Sequence, residues 1–219
     1  MARPTPWKYR MSRWLILCLL LAPIFSVHAA DDETAVRAAF AAYKSAVLAR
    51  QGERAADQVT TGTLREYARY RELALSAPRT ELEALPMTER LQVLIIRARV
   101  PAHDLRAMDG RTVFTHAVDR GWIGREGVER SELGTLQVDG DHAAARLKIG
   151  TVEMPFDFEF EREQGRWHFN LIPLVTMSED VFKQLARQNG VSENEMVMTL
   201  VRGLSEAPVD DSLWNPPAQ

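Results

Sequence analysis

Cysteine is almost absent from this sequence, since Cys18 is the only one in 219 residues. It lies in an apolar run near the N-terminus that we predict to be a cleaved leader, so the mature chain would contain no thiol. That excludes disulfide bonds, cysteine-bound metals and a cysteine nucleophile from the mature protein. Stability must then come from a packed core, which a chain of this length can build.

Long apolar runs are lacking too. The run Trp14–Phe25 is shorter than the roughly 18–20 residues needed to span a bilayer. Four basic residues precede it and small residues follow it, and these are the three parts of a secretory signal peptide. We predict a signal peptide of residues 1–29, cleaved near Ala29, and a periplasmic or secreted protein with no membrane span after cleavage. An uncleaved anchor is the alternative.

Positive charge is scarce once the leader is removed. All four charges of residues 1–29 are basic, so 23 of the 27 Lys and Arg residues remain against 30 Asp and Glu, a net charge of −7. Binding to nucleic acid needs a basic face that releases counterions from phosphates. We therefore predict no nucleic-acid partner.

Histidine is sparse, and the four histidines outside the leader are not clustered. His116 and Asp119 lie three residues apart on a predicted helix and would present two ligands on one face, but an exposed polar face explains them equally well. No serine nucleophile elbow, Walker loop or dinucleotide-binding glycine motif occurs. The sequence thus predicts neither a metal site nor a cofactor.

The first part of the mature chain is predicted to be helical. Apolar residues between Val36 and Val47 recur at steps of three and four, which places them on one helix face. The acidic residues 31–33 suit a helix start, and Gly52 suits its end. A turn is predicted over Glu53–Val59.

A second helix is predicted from Thr61 or Thr63 to the proline at position 78. The segment Glu89–Arg99 fits both a helix and a strand, and its flanking signals favour a helix. Short helices interrupted by glycines are predicted between residues 101 and 133.

The clearest pattern is a four-stranded antiparallel meander over residues 135–172. Apolar and polar residues alternate in four runs separated by glycine turns. His168 and the acidic side chains fall on one face, which we expect to stay in water. The other face must be buried against helices. Its residues are Ala143, Ala145, Leu147, Met154, Phe156, Phe158, Trp167 and Phe169.

Two more helices are predicted at the C-terminus. The first runs from Ser178 to Asn189, and the second begins at Ser192, with Glu195 completing a capping box. The tail beyond residue 208 is predicted to be extended, with Trp214 as an anchor.

Three segments resemble the nuclear-transport-factor-2-like superfamily, also called the polyketide-cyclase-like or cystatin-like roll. They are the helix Val36–Arg50, the strand and turn Val138–Ala145, and Glu163–Trp167 leading into the closing strand. The resemblance covers roughly residues 32–174. It implies a cone in which a curved sheet wraps the first helix around a pocket, and dimerisation through the outer sheet face.

The predicted fold class is therefore α+β, with N-terminal helices packed on a curved four-stranded antiparallel sheet in a cone-like roll. The roll would occupy residues 31–174, and a C-terminal helical pair with an extended tail would occupy residues 175–219. The long helical stretch before the sheet and the pair after it depart from the family pattern. Fold alone does not choose among the isomerases, dehydratases, cyclases and non-catalytic members of such a family.

The inner sheet face is aromatic and has no titratable group, which favours binding over catalysis. We predict an exported, non-catalytic module that holds a small apolar ligand or an envelope protein. One alternative is a lyase or isomerase that uses Tyr43 as acid or base, with His168, Tyr67 and Tyr70 as further candidates. A second is a structural homodimer. The predicted pocket-lining residues are Phe40, Tyr43, Met154, Phe156, Phe158, Trp167 and Phe169.

Overall fold

The computed structural model describes residues 25–123, 125–205 and 207–218. Residues 1–24 of the predicted signal peptide lie outside the described residues, and the predicted cleavage point near Ala29 falls within the first helix. The described residues form ten α-helices, one 3₁₀ helix and a four-stranded sheet, which confirms the predicted α+β class.

In chain order the helices are α1 (Phe25–Leu48), α2 (Gly52–Ala56), α3 (Thr61–Ser76), α4 (Arg79–Glu83), α5 (Met87–Arg99), α6 (Ala102–Ala107), α7 (Gly110–Asp119), α8 (Arg125–Arg130), α9 (Ile172–Asn189) and α10 (Glu193–Leu204). The strands are β1 (Ser131–Asp139), β2 (His142–Ile149), β3 (Val152–Glu163) and β4 (Arg166–Asn170), and the 3₁₀ helix is Asp211–Trp214. The strands pair in chain order as an antiparallel meander.

Helix α1 packs its apolar face on the sheet. Phe40 and Tyr43 are buried, and the Phe40 ring centroid lies 5.5 Å from that of Phe158 and 5.6 Å from that of Phe169. The predicted helical face is therefore confirmed. The predicted start was wrong, because α1 already begins at Phe25 and the acidic residues 31–33 lie inside it.

The segment Glu53–Val59, predicted as a turn, instead contains helix α2 and one rung of β pairing. The backbone N–H of Gly52 donates to Asp119 Oδ1 at 2.7 Å and so caps α2. Val59 pairs in parallel with Phe169 of β4. The turn prediction was wrong because the partners of this segment come from distant parts of the chain, which local sequence does not report.

The helices predicted after this segment are confirmed. Helix α3 begins at Thr61, capped by the Thr60 side chain, which accepts a hydrogen bond from Thr63 N at 3.1 Å. It ends at Ser76, two residues before Pro78. The ambiguous segment is helix α5, and the short helices predicted between residues 101 and 133 are α6, α7 and α8.

The sheet buries the face that alternation predicted. Ala143 pairs with Phe160 and Ala145 with Phe158 across β2 and β3, and all four are buried. The register shifts in β1 near Leu133 and in β2–β3 after Arg146. Such bulges bend a strand and increase its twist, which gives the sheet its curvature.

Strand β4 is buried on both faces, unlike the prediction for its outer side. His168 is 8% exposed and Asn170 is 9% exposed. The reason is that β4 is not a free edge: Phe169 N donates to Gln58 O at 2.7 Å and Thr60 N donates to Phe169 O at 3.1 Å. The expectation that His168 would stay in water was therefore wrong.

Two apolar clusters form the interior. One joins α1 and α2 to the inner face of the sheet. The other contains residues of the five helices α3, α4, α5, α6 and α7, and of α9, α10 and the C-terminal tail. Trp214 of the tail is buried in it, as the anchor that the sequence predicted. The division predicted after residue 174 lies inside α9, because that helix begins at Ile172. The predicted capping box between Ser192 and Glu195 is present at the start of α10.

Candidate functional site

A cavity of about 430 Å³ lies where the two apolar clusters meet. Its lining residues come from helices α1, α3, α5, α7, α8, α9 and α10 and from strands β1 and β3. Its volume falls in the range of small-molecule sites, about 300–1,000 Å³. Its apolar lining includes Phe40, Phe158, Leu91, Ile95, Trp122, Leu174, Val175 and Phe182.

Three of the residues predicted to line a pocket do so. Phe40 and Tyr43 reach the cavity from α1, and Phe158 reaches it from β3. Phe158 and Phe40 are tilted against each other with ring centroids 5.5 Å apart. These side chains form the aromatic end of the cavity, beside the sheet.

The other four predicted lining residues lie elsewhere. Phe169 packs behind the cavity wall, with its ring centroid 5.1 Å from that of Tyr43. Trp167 lies nearer the start of α1, where its Nε1 donates to Asp32 at 3.4 Å. Met154 and Phe156 are partly buried against the first cluster. Both residues lie between Glu153 and Asp157, in the stretch of β3 where the pairing with β2 shifts register.

His168, a candidate for catalysis, is not among the residues that line the cavity. Its Nδ1 lies 3.0 Å from the Arg166 carbonyl oxygen, and it sits on the outer face of β4. It is buried there within β4, away from the cavity.

Two tyrosines line the cavity, namely Tyr43 and Tyr67. Burial raises the pKa of Tyr43 above that of a free tyrosine, and the nearby Tyr67 raises it further. Burial also raises the pKa of Tyr67, to about 12. Both phenols therefore remain protonated at neutral pH and are able to donate hydrogen bonds, whereas neither is available as a general base.

Helix α9 is attached to α5 along the cavity wall by the carboxylate of Glu179. It accepts hydrogen bonds from Met87 N at 2.9 Å, Thr88 N at 2.8 Å and Thr88 Oγ1 at 2.9 Å. Burial acts to raise the pKa of Glu179, but these bonds and the Lys183 ammonium outweigh it and lower the pKa to about 2. Glu179 thus caps the start of α5 from a different helix.

Sequence patterns missed the wall that α5 and α9 contribute. Helix α5 is apolar on two sides: Val93 and Leu94 are buried in the helical cluster, while Leu91 and Ile95 line the cavity. A helix that is apolar on two sides is expected to be covered on both of them. That was the available signal, and it does not say which elements enclose the helix.

The pair considered for metal binding has other contacts. Asp119 accepts the hydrogen bond from Gly52 N, and the His116 ring lies 5.0 Å from the Trp122 ring. Within the described part of the chain, no group of three or more His, Cys, Asp or Glu side chains is placed to hold a metal ion. No helix in that part is both long and apolar enough to cross a membrane.

No protein-family model, curated protein or solved structure matches this chain. The cavity and its lining are therefore the observations from which function is argued.

Proposed function

We propose that this chain is an exported, non-catalytic binding module that holds a small apolar ligand in the cavity between its sheet and its helices. The observation that carries the proposal is an aromatic and aliphatic cavity of about 430 Å³ whose walls come from both apolar clusters. Export is supported by the signal-peptide pattern of residues 1–29.

The chemistry of the lining supports binding rather than turnover. The lining side chains that the structure describes include no Asp, Glu or His. Proton transfer at neutral pH needs a group whose pKa lies near the working pH. The raised pKa values of Tyr43 and Tyr67 move both phenols away from it.

The shape of the site also supports a ligand rather than an envelope protein. The cavity is lined by residues from nine helices and strands, including a helix, α1, whose apolar face is covered by the sheet. Burying an apolar molecule there removes its surface from water, at roughly 25 cal/mol per Å².

Titration with N-phenyl-1-naphthylamine tests the proposal, because this neutral dye fluoresces strongly in apolar surroundings. We expect saturable binding with one site per chain. Val175→Trp, which adds bulk to the cavity wall on α9, should weaken binding at least tenfold.

Val181→Trp is the matched control, because Val181 lies on the same helix and is 64% exposed. This variant should bind the dye as the wild type does. Absence of saturable binding, or equal weakening by the two tryptophan variants, would refute the proposal.

A further inference from the structure

We propose that the ligand of this cavity carries a carbonyl oxygen, which the hydroxyl groups of Tyr43 and Tyr67 bind as paired hydrogen-bond donors. This inference rests on the proposed binding function and deepens it, because it names the chemical class of the ligand. The class is an apolar molecule with a ketone, ester or similar carbonyl group.

Four polar side chains of the lining have partners in the protein, whereas the amide of Gln92 makes no hydrogen bond to another described residue. The Thr88 hydroxyl donates to Glu179 at 2.9 Å, and the Ser178 hydroxyl donates to the Leu174 carbonyl oxygen at 2.8 Å. The Ser131 hydroxyl donates to the Gly127 carbonyl oxygen at 2.7 Å. Arg99 donates to the Leu204 carbonyl oxygen and stacks on the Trp122 ring.

The two phenols differ from these groups. Tyr43 is 4% exposed, and Tyr67 is partly buried against both apolar clusters. Neither hydroxyl makes a hydrogen bond to another described residue, and neither is among the fully buried polar atoms that lack a partner, so both are open to the space of the cavity. A ligand that covered these hydroxyls without supplying an acceptor would leave them unpaired, so a ligand that supplies one gains affinity.

Ring packing holds the two donors in place before any ligand arrives. The Tyr43 ring lies edge-on to Phe169 with centroids 5.1 Å apart. The Tyr67 ring lies edge-on to Phe114 with centroids 5.2 Å apart. Donors fixed in advance lose little conformational entropy on binding, which favours affinity.

Two hydroxyl donors in one cavity favour a ligand oxygen that accepts two hydrogen bonds, such as a carbonyl. Both phenols line the same cavity, and both keep their protons because burial raises the pKa of each. A carbonyl oxygen has two lone pairs and is able to accept from both hydroxyls at once, whereas an N–H or O–H group of a ligand donates to only one.

The test compares 2-acetylnaphthalene with 2-ethylnaphthalene, which have similar shapes and differ in the carbonyl group. Binding of each is measured by titration calorimetry to the wild type and to Tyr43→Phe, Tyr67→Phe and Tyr70→Phe. Each variant removes only a hydroxyl. Tyr70→Phe is the matched control because Tyr70 is buried but does not line the cavity.

We expect the wild type to bind the ketone about tenfold more tightly than the hydrocarbon, which corresponds to the net value of one to two hydrogen bonds. Tyr43→Phe and Tyr67→Phe should each reduce this ratio several-fold and leave hydrocarbon affinity unchanged. Tyr70→Phe should keep the ratio of the wild type.

Two results would overturn the inference. If both probes bind the wild type equally, or if the ratio persists in Tyr43→Phe and Tyr67→Phe, carbonyl recognition by the phenols is wrong while the binding module stands. If neither naphthalene nor the neutral dye binds, the binding function itself fails and the inference falls with it.

Discussion

Replacing Glu179 by Gln should loosen the cavity wall and destabilise the protein in a pH-dependent way. The carboxylate of Glu179 receives three hydrogen bonds at 2.8–2.9 Å from the first residues of α5. Gln keeps an acceptor oxygen but loses the negative charge that interacts with the helix start. It also loses the ion pair with Lys183, which lies 3.0 Å away.

The expected loss follows from these contacts. Removing a helix cap costs about 0.5–2 kcal/mol, and hydrogen bonds to charged groups contribute about 1.5–3 kcal/mol. Because solvent reaches part of this site, screening reduces the electrostatic share. We expect Glu179→Gln to lower the free energy of unfolding by about 1–2 kcal/mol at pH 7.

The difference should disappear in acid. The folded-state pKa of Glu179 is about 2, below the ordinary value of 4.5. Its contribution is therefore complete above pH 4.5, decreases as the pH falls and is mostly lost by pH 2. Urea unfolding of the wild type and the variant at several pH values from 7 down to 2 measures the trend.

Glu195→Gln is the control, since the Glu195 carboxylate caps its own helix through Ser192 and joins no other element. Glu179→Gln should weaken binding of the neutral dye, and Glu195→Gln should not. The reasoning is refuted if Glu179→Gln is as stable as the wild type at pH 7. It is also refuted if a loss at pH 7 persists undiminished at pH 2.

Three further outcomes follow from the packing. Phe160→Ala empties a position that is 1% exposed and should cost about 3–5 kcal/mol in chemical unfolding; a loss below about 1 kcal/mol would contradict the proposed core. Trp214→Ala should release the C-terminal tail, so limited proteolysis should cleave it much faster than in the wild type, and unchanged cleavage would count against the anchor. In protein lacking residues 1–29 the remaining tyrosines, Tyr43, Tyr67 and Tyr70, all have raised pKa values, so tyrosinate absorbance should stay flat between about pH 9 and 11 while the protein is folded. Because the folded state holds these protons more tightly than the unfolded state, stability should fall as the pH rises above about 10, and a normal titration near that pH would contradict the burial.

The sheet was predictable from the sequence because alternation reports burial directly. Phe158 and Phe160 face α1 as their spacing requires, and the glycine turns at positions 140 and 150 adopt positive φ angles. Helices α3 and α10 were predictable because their ends carry local signals, namely Pro78 after α3 and the capping box of Ser192 and Glu195 at the start of α10.

The features that the sequence did not disclose depend on distant partners. The cap of α2 comes from Asp119, and the burial of His168 depends on the extended segment around Val59 that pairs with β4. Neither interaction leaves a trace in the residues nearby. The same limit applied to the start of α9, which lies six residues before the expected Ser178.

The candidate site was only partly predictable, because a cavity is a property of how elements dock. Alternation and helical spacing identified Phe40, Tyr43 and Phe158. They could not show that α5 and α9 would contribute Leu91 and Val175 to the lining of the same cavity. Periodicity shows which face of an element is apolar, but it does not show whether that face meets another side chain or an open space.

A crystal structure of the protein with 2-acetylnaphthalene would test the central claim most directly. It should show the naphthalene ring between Phe40 and Phe158 on one side and Leu91 on the other, with the carbonyl oxygen within hydrogen-bond distance of the hydroxyls of Tyr43 and Tyr67. A cavity filled by the protein's own side chains, or a ligand found only on the outer surface, would contradict it.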